Sequence, residues 1–245
     1  MNDFKKTLQI LNIGSKKDKI KVLGLLSQST NPEIIRKIIS NLDDQEIQVR
    51  GEAFSSLFLN ENDISEFLID GLRSESKYIK GFSALILANR GDSNAIPNLE
   101  LLTRDPSSMV RSCALGALGY LHSNQSSTII RNCFSDEVVE VKKSALEAFF
   151  KIGGKIFSSE FEKLSRNADA ELKFLIKKYQ KICNGPGGIW TLDLTHAKGV
   201  SYQSRRPAHK KSHNLNPFRI SNYQFWSYLV GFCYKKLGLT YFCET

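Results

Sequence analysis

The 245-residue chain is long enough for one large domain or two small ones, and its 41% apolar and 24% charged residues are typical of soluble globular proteins. This composition excludes a fibrous or wholly disordered chain. The net charge of +9 is unevenly distributed: residues 1–184 contain 26 Lys and Arg against 23 Asp and Glu, whereas residues 185–245 contain 8 against 2. Charge alone therefore does not predict nucleic-acid binding by residues 1–184.

The cysteine pattern and the N-terminus predict a cytoplasmic protein. The five cysteines are an odd number without a C-x-x-C pair, which fits neither a disulfide framework nor a zinc ribbon. The first residues lack the apolar core and cleavage site of a signal peptide, and no apolar run approaches the roughly 20 residues that span a bilayer. We expect free thiols and no membrane association.

A degenerate repeat opens the array over residues 16–42. Lys19 is followed at helical spacing by Val22 and Leu26, and a second apolar segment begins at Asn31-Pro32. An amide followed by proline is typical of a helix start, because the amide caps free N–H groups and proline suits the first helical position. The same reasoning predicts a helix start at Asp105-Pro106.

A short phrase then recurs about every 31 residues. An apolar residue precedes a basic one, a small residue follows three positions later, and a large apolar residue lies seven positions after the base. These offsets lie on one face of an α-helix, so each phrase predicts a buried helical stripe, and the small residue predicts close approach of a neighbouring helix. The basic residues are Arg50, Lys80, Arg111, Lys142 and Lys173, and the small residues are Ala53, Ser83, Ala114 and Ala145.

Each phrase is followed by a break and a second apolar segment, so the predicted unit is helix, turn, helix. In the last unit Ile176 and Gln180 replace the small and large apolar residues, as expected of an end cap. We therefore predict an all-α fold, an α-solenoid of about five to six helical hairpins over residues 1–184.

Acidic residues recur ahead of the basic ones, at Asp44, Glu75, Asp105 and Asp136. This series could form a binding stripe. We favour a structural role, in which the acids lie near helix N-termini and each base reaches an acid of the adjacent unit.

The phrase Val110-Arg111-Ser112-Cys113-Ala114-Leu115-Gly116-Ala117-Leu118 resembles the first helix of HEAT repeats, of the type also found in phycobilisome lyases. The resemblance covers about residues 45–182. It implies an armadillo-like solenoid that acts mainly as a protein-binding scaffold, and a few members of the family are enzymes or handle cofactors. The fold itself does not specify a chemistry.

We expect the function to lie on a concave face lined by the second helices. The alternating signs of its polar residues favour a protein partner over the continuous basic stripe that duplex DNA requires. Two alternatives remain: nucleic-acid binding through the basic, aromatic tail, and a lyase-like or cofactor-handling role. The candidate partner-binding residues are Arg36, Lys37, Glu66, Asp70, Glu100, Arg131, Glu162 and Lys163.

No motif predicts a catalytic, cofactor or metal site, so we expect a non-enzymatic protein without a cofactor. His209 and His213 have the spacing of half a zinc finger but lack the cysteine pair. Gly153-Gly154-Lys155 lacks the spacing of a phosphate-binding loop and is predicted to be a turn. Cys113 and Cys133 are interpreted as small apolar residues on helix faces.

Helical periodicity ends near Asn184, where the sequence Gly-Pro-Gly-Gly follows. The segment GPGGIWTLDL…SYQSRRPAH resembles a C-terminal extension that recurs on unrelated archaeal reading frames and looks like the translated antisense strand of a transfer-RNA gene. We expect residues 185–245 to be poorly ordered or not a native domain.

Truncation after Asn184 tests this division. It removes six units of net charge but no residue of the repeat faces, so the fragment should keep the helical circular-dichroism signal and melting temperature of the full chain. If the fragment aggregates or melts far below the full protein, the tail is a structural part of the fold.

Overall fold

The computed structural model describes residues 2–183, in which all regular secondary structure is helical, and this confirms the predicted all-α fold. None of its helices combines the length and apolarity that a bilayer crossing requires. The α-helices are α1 (Asn2–Ile13), α2 (Lys16–Leu25), α3 (Pro32–Ser40), α4 (Ile47–Leu59), α5 (Ser65–Gly71), α6 (Lys77–Asn89), α7 (Ile96–Leu102), α8 (Ser108–Tyr120), α9 (Ser127–Asn132), α10 (Val139–Lys151), α11 (Ser158–Ser165) and α12 (Ala170–Cys183). Short 3-10 helices lie at Asn41–Asp43, Ser93–Ala95, Asn124–Ser126 and Cys133–Ser135.

The helices form two series. The first helices are α2, α4, α6, α8, α10 and α12, and each packs on the next first helix. The second helices are α3, α5, α7, α9 and α11, and each packs against the first helix that follows it. Helix α1, which lies outside the repeat pattern, packs against α2 and α3. The described residues are therefore an α-solenoid of five helix pairs, with one helix before them and one after.

The periodic small residues are buried, as predicted, and Ser83 lies against Gly71 of the second helix α5. All four are completely buried, and so are the apolar residues seven positions after the bases. Successive first helices also approach each other closely, since a Cβ added to Gly119 of α8 would lie 2.6 Å from the Cα of Ala148 in α10. The buried small residues are Ala53, Ser83, Ala114 and Ala145, and the large ones are Leu57, Leu87, Leu118 and Phe149.

Ion pairs join successive units, which confirms the structural interpretation of the acid and base series. In each pair the base of one first helix reaches the acid 25 residues later, at the start of the next unit. Most of the surface of these side chains is removed from solvent, so the pairs are screened less than exposed ones. The pairs are Lys19–Asp44 (2.6 Å), Lys80–Asp105 and Arg111–Asp136 (2.8 Å).

The contact between α4 and α6 replaces this ion pair with aromatic contacts. Glu75 is exposed, and the Arg50 guanidinium lies 4.5 Å from the centre of the Tyr78 ring. Phe54 and Phe82 meet edge to face, with their centroids 5.6 Å apart. These two helices are therefore held together by large side chains.

The last contact of the series is shifted by one residue. Lys142 donates to the backbone carbonyl of Arg166 at 2.9 Å. Its neighbour Lys143 forms the ion pairs, with Asp169 at 2.7 Å and Glu171 at 2.5 Å. The hydrogen bond from Lys143 lowers the pKa of the Asp169 carboxyl. The repeated sequence pattern therefore predicted the position of this unit correctly, but it did not predict which of the two lysines forms the ion pairs.

The two predicted helix starts have different outcomes. Asn31 caps α3, accepting hydrogen bonds from the two N–H groups after Pro32, as predicted. The prediction for Pro106 was wrong, because α8 begins at Ser108. The carboxylate of Asp105 accepts the N–H of Ser107 at 2.8 Å and pairs with a lysine of the preceding unit, so Pro106 lies in the turn before the helix.

The opening unit also differs in detail. Leu23 is the fully buried residue of α2, while Val22 and Leu26 are half-buried. The buried stripe of α2 is therefore rotated by about one residue, because α1 packs against this helix in addition to α4.

Replacing Ala114 with leucine should lower the free energy of unfolding by about 1–3 kcal/mol, because a close helix crossing cannot accommodate the extra volume without strain. Ala170→Leu is the matched control, since Ala170 is exposed at the start of α12. Urea melts that place both variants level with the parent would show that Ala114 is not at a tight crossing.

Replacing either of two buried serines with alanine should change the free energy of unfolding, in opposite directions for the two residues. The Ser83 hydroxyl is buried without a hydrogen-bond partner among the described atoms, whereas that of Ser56 donates to the Leu23 carbonyl. Removing an unsatisfied hydroxyl relieves its desolvation cost, so Ser83→Ala should stabilise the fold by about 1 kcal/mol and Ser56→Ala should destabilise it by a similar amount. Thermal unfolding measures both, and a destabilised Ser83→Ala would contradict this assignment.

Candidate functional site

The five second helices present a continuous series of polar side chains, here called the second-helix face. All eight predicted partner-binding residues lie on these helices. Arg36, Glu66, Asp70, Glu162 and Lys163 are exposed, whereas Lys37, Glu100 and Arg131 are half-buried.

Arg131 braces the fourth unit against the fifth. Its guanidinium pairs with Glu160 at 2.5 Å and donates to the backbone carbonyl of Lys155 at 3.1 Å. The same group lies 4.7 Å from the Phe149 ring centre and 5.6 Å from that of Phe157. These contacts hold Arg131 in place, so its first role is structural and a partner would meet a rigid guanidinium.

Glu100 and Arg36 also make contacts between units. The Glu100 carboxylate accepts a hydrogen bond of 2.6 Å from the Ser126 hydroxyl. The Arg36 guanidinium lies 4.8 Å from the ring centre of Phe67, on the next second helix. Both contacts fix side chains that the sequence pattern treated as simply exposed.

Asp70, Glu162 and Lys163 are less constrained by contacts with other side chains. Asp70 forms an exposed ion pair with Arg73 at 3.8 Å, which contributes little to stability. Glu162 and Lys163 form no ion pair with any residue that the structure describes. A partner can therefore reach these charges without breaking an internal network.

Sequence reasoning missed the most exposed apolar side chain of the second-helix face. Leu101 of α7 is 73% exposed, with the exposed residues Pro97 and Arg104 about one turn away on either side. Periodicity assigns a leucine in an apolar segment to the core, so it offered no signal here. Such an aliphatic group next to a charge is typical of an anchor point for a protein partner.

An open cleft of about 630 Å³ lies beside Arg104, between the 103–106 loop, the end of α9 and the 135–137 loop. The ion pair of Arg111 with Asp136 forms one wall and raises the pKa of the Arg111 guanidinium. Arg104 and Glu137 remain as exposed charges of opposite sign. The cleft therefore offers both a cation and an anion to a polar ligand.

The thiol of Cys133 also lines this cleft. Burial, together with the nearby Asp136 carboxylate, raises its pKa to about 11. A thiol with that pKa is protonated at neutral pH and is a poor nucleophile. Cys133 thus acts as a small, half-buried apolar group, and Cys113 is fully buried, as predicted for both.

Other sequence features have structural roles. Gly153 has a φ of +71° in the turn between α10 and α11, which confirms the turn predicted at Gly153-Gly154. His122 is exposed, and its Nδ1 lies 3.0 Å from the backbone carbonyl of Lys151. Within residues 2–183 no His, Cys, Asp and Glu side chains form a group suited to a metal ion. His209, His213 and the tail of residues 185–245 lie outside the described residues.

Comparison with solved structures gives low overall similarity. The complex of CpcE and CpcF of phycocyanin lyase from Nostoc sp. matches at 17% identity over 69% of this chain and 73% of that chain, with a TM-score of 0.47. An engineered protein matches at 17% identity over 76% and 100% of the two chains, with a TM-score of 0.46. A designed armadillo repeat protein in complex with the peptide (KR)4 matches at 17% identity over 73% and 98%, with a TM-score of 0.44.

No curated protein matches the sequence. The family model of HEAT repeats matches residues 65–149, which span α5 to α10, the centre of the array. The described residues therefore form an α-solenoid whose central part matches the HEAT-repeat family model.

Proposed function

We propose that this protein is a non-enzymatic scaffold that binds a partner protein along the second-helix face. The observation that carries the proposal is the continuity of that face: five second helices in sequence each keep a buried side and an exposed side, which is polar except in α7, where Pro97 and Leu101 are exposed. A stacked array of this kind offers an extended surface without needing a pocket.

The chemistry of the face fits a protein better than a polyanion. The face carries the exposed acids Glu66, Asp70 and Glu162 together with the exposed bases Arg36 and Lys163. Phosphate chains are bound by surfaces of one sign, and acids within such a surface weaken the attraction.

The fixed side chains of the face favour binding with little loss of conformational freedom. Arg131 and Arg36 are already held against aromatic rings, so a partner need not order them. Leu101 supplies an apolar contact near the middle of the face. Interfaces commonly combine such rigid anchors with a polar surround.

A photo-crosslinking amino acid placed in the full chain tests this assignment in extracts of the native host. Substitution at Glu66, at Leu101 and at Lys163 should give the same crosslinked protein by mass spectrometry, because all three lie on the second-helix face. Gln48, exposed on the first helix α4, is the matched control and should give none.

Two results would contradict the proposal. Crosslinks from Gln48 alone would place the partner on the first helices. Crosslinks that disappear after nuclease treatment, together with binding that falls steeply with salt, would favour nucleic acid as the ligand.

A further inference from the structure

Helix α12 has the position of a first helix, but no described helix packs on its far side. Leu172, Leu175 and Ile176 are buried on its inner side, toward α10 and α11. The opposite side carries Phe174, Lys177, Lys178 and Lys181, all exposed, and is here called the outer face of α12.

The interior units show that this face corresponds to a stacking surface. Positions one, five and eight residues after the base lie against the next first helix, as Gly81 does with α8, Gly24 with α4 and Gly119 with α10. The corresponding residues of α12 are Phe174, Lys178 and Lys181. The outer face of α12 is therefore equivalent to a surface that receives a helix elsewhere in the array.

The charge of this face is uncompensated. The two acids next to it, Asp169 and Glu171, are both bound by Lys143 of α10, at 2.7 and 2.5 Å. As a result, Lys177 and Lys181 form no ion pair with a described residue. Lys178 is the partial exception, because its Nζ is 5.8 Å from the Tyr179 ring centre and its charge acts on Glu147.

The basic residue of the last unit, Lys173, indicates a ligand that carries acidic groups. In three of the five preceding units the base at this place pairs with an acid of the following unit, as Arg111 does with Asp136. Lys173 is exposed and forms no ion pair with any described residue. No described residue pairs with this last cation of the series, and an incoming carboxylate would fill that place.

Phe174 distinguishes this face from a merely solvated end. It is 66% exposed, whereas the equivalent residues Gly81, Ser112 and Lys143 are buried by the next helix. An end cap needs a polar outer surface, and a phenylalanine at its centre costs free energy in water. An aromatic group ringed by lysines is suited to a partner that brings both apolar and acidic groups.

We propose that the outer face of α12 docks an acidic, amphipathic helical segment of another protein, with an aliphatic side chain against Phe174 and carboxylates on the surrounding lysines. The helical form follows from the equivalence with the interior stacking surfaces, and the acidic character follows from the uncompensated lysines. This site is separate from the second-helix face and does not depend on the function proposed there.

Charge disfavours the other occupants. Residues 185–245 contain 8 basic and 2 acidic residues, so they have the same sign as the face. In a second copy of the chain, Ile13 occupies the place that Asp44, Asp105 and Asp136 take in later units, so its first unit brings no carboxylate at that place. A lipid surface would need the apolar side of α12, which is buried in the array.

Fluorescence anisotropy with the full chain tests the proposal. The probe is a labelled synthetic helical peptide of about five turns, with leucines on one face and glutamates with alanines elsewhere. Phe174→Ser and the double variant Lys178→Glu, Lys181→Glu should each weaken its binding by about tenfold or more, since one removes the apolar contact and the other reverses the charge. The same peptide with lysine in place of glutamate should not bind.

Matched controls locate the effect. Leu101→Ser removes an equally exposed apolar side chain from the second-helix face, and Lys17→Glu with Lys21→Glu reverses two exposed lysines of α2. Both should leave peptide binding within about twofold of the parent, and circular dichroism should show that every variant is folded.

Three outcomes would overturn the proposal. The first is failure of the acidic peptide to bind the parent. The second is equal weakening by the control variants. The third is tighter binding of an oligothymidylate or of phosphatidylserine vesicles that depends on the lysines but not on Phe174, which would make the face a general polyanion or membrane surface.

Discussion

The close crossing of successive first helices is the constraint on which the array depends. Where α8 meets α10, the Cα of Ala148 occupies the space that a side chain at position 119 would need. The small residues that give the sequence its period, such as Ala114, lie elsewhere on the first helices and are fully buried. The helices approach closely enough that a base on one unit reaches an acid of the next, so the ion pairs follow from the packing.

Because these contacts join adjacent units, each unit is stabilised by its neighbours. Within residues 2–183 the helices at the two ends of the array have one neighbour fewer, and α12 differs in composition, with Gln180 and several lysines. The second-helix face follows from the same arrangement: the first helices pack on both neighbouring first helices, whereas the second helices pack on the next first helix and keep one side exposed. The exposed side of each pair therefore belongs mainly to its second helix.

Periodicity predicted the fold well because a helical stripe leaves a direct record in the sequence. Ala114 and Leu118 could be assigned to the core from their spacing alone. Lys143 could not be distinguished from Lys142 as the residue that forms ion pairs, since both lie near the same face. The exposure of Leu101 and the bracing of Arg131 depend on the neighbouring units, and no local pattern encodes contacts between residues about 30 positions apart. The start of α8 was misplaced for a related reason, because the ion pair of Asp105 draws that residue into the preceding turn.

The aromatic contact between α4 and α6 has a mechanical consequence. At the α8–α10 crossing, backbone meets backbone, and a small displacement produces a clash. Between α4 and α6 the contact runs through the rings of Phe54, Tyr78 and Phe82, which can tilt and slide over one another with little loss of contact area. On the turn side, Arg90 holds the two units together by donating to the carbonyls of Asn60 and Asn62. We therefore expect bending of the array to concentrate at this joint, with the turn as pivot, so that the first two units adjust to a ligand while the later ones remain rigid.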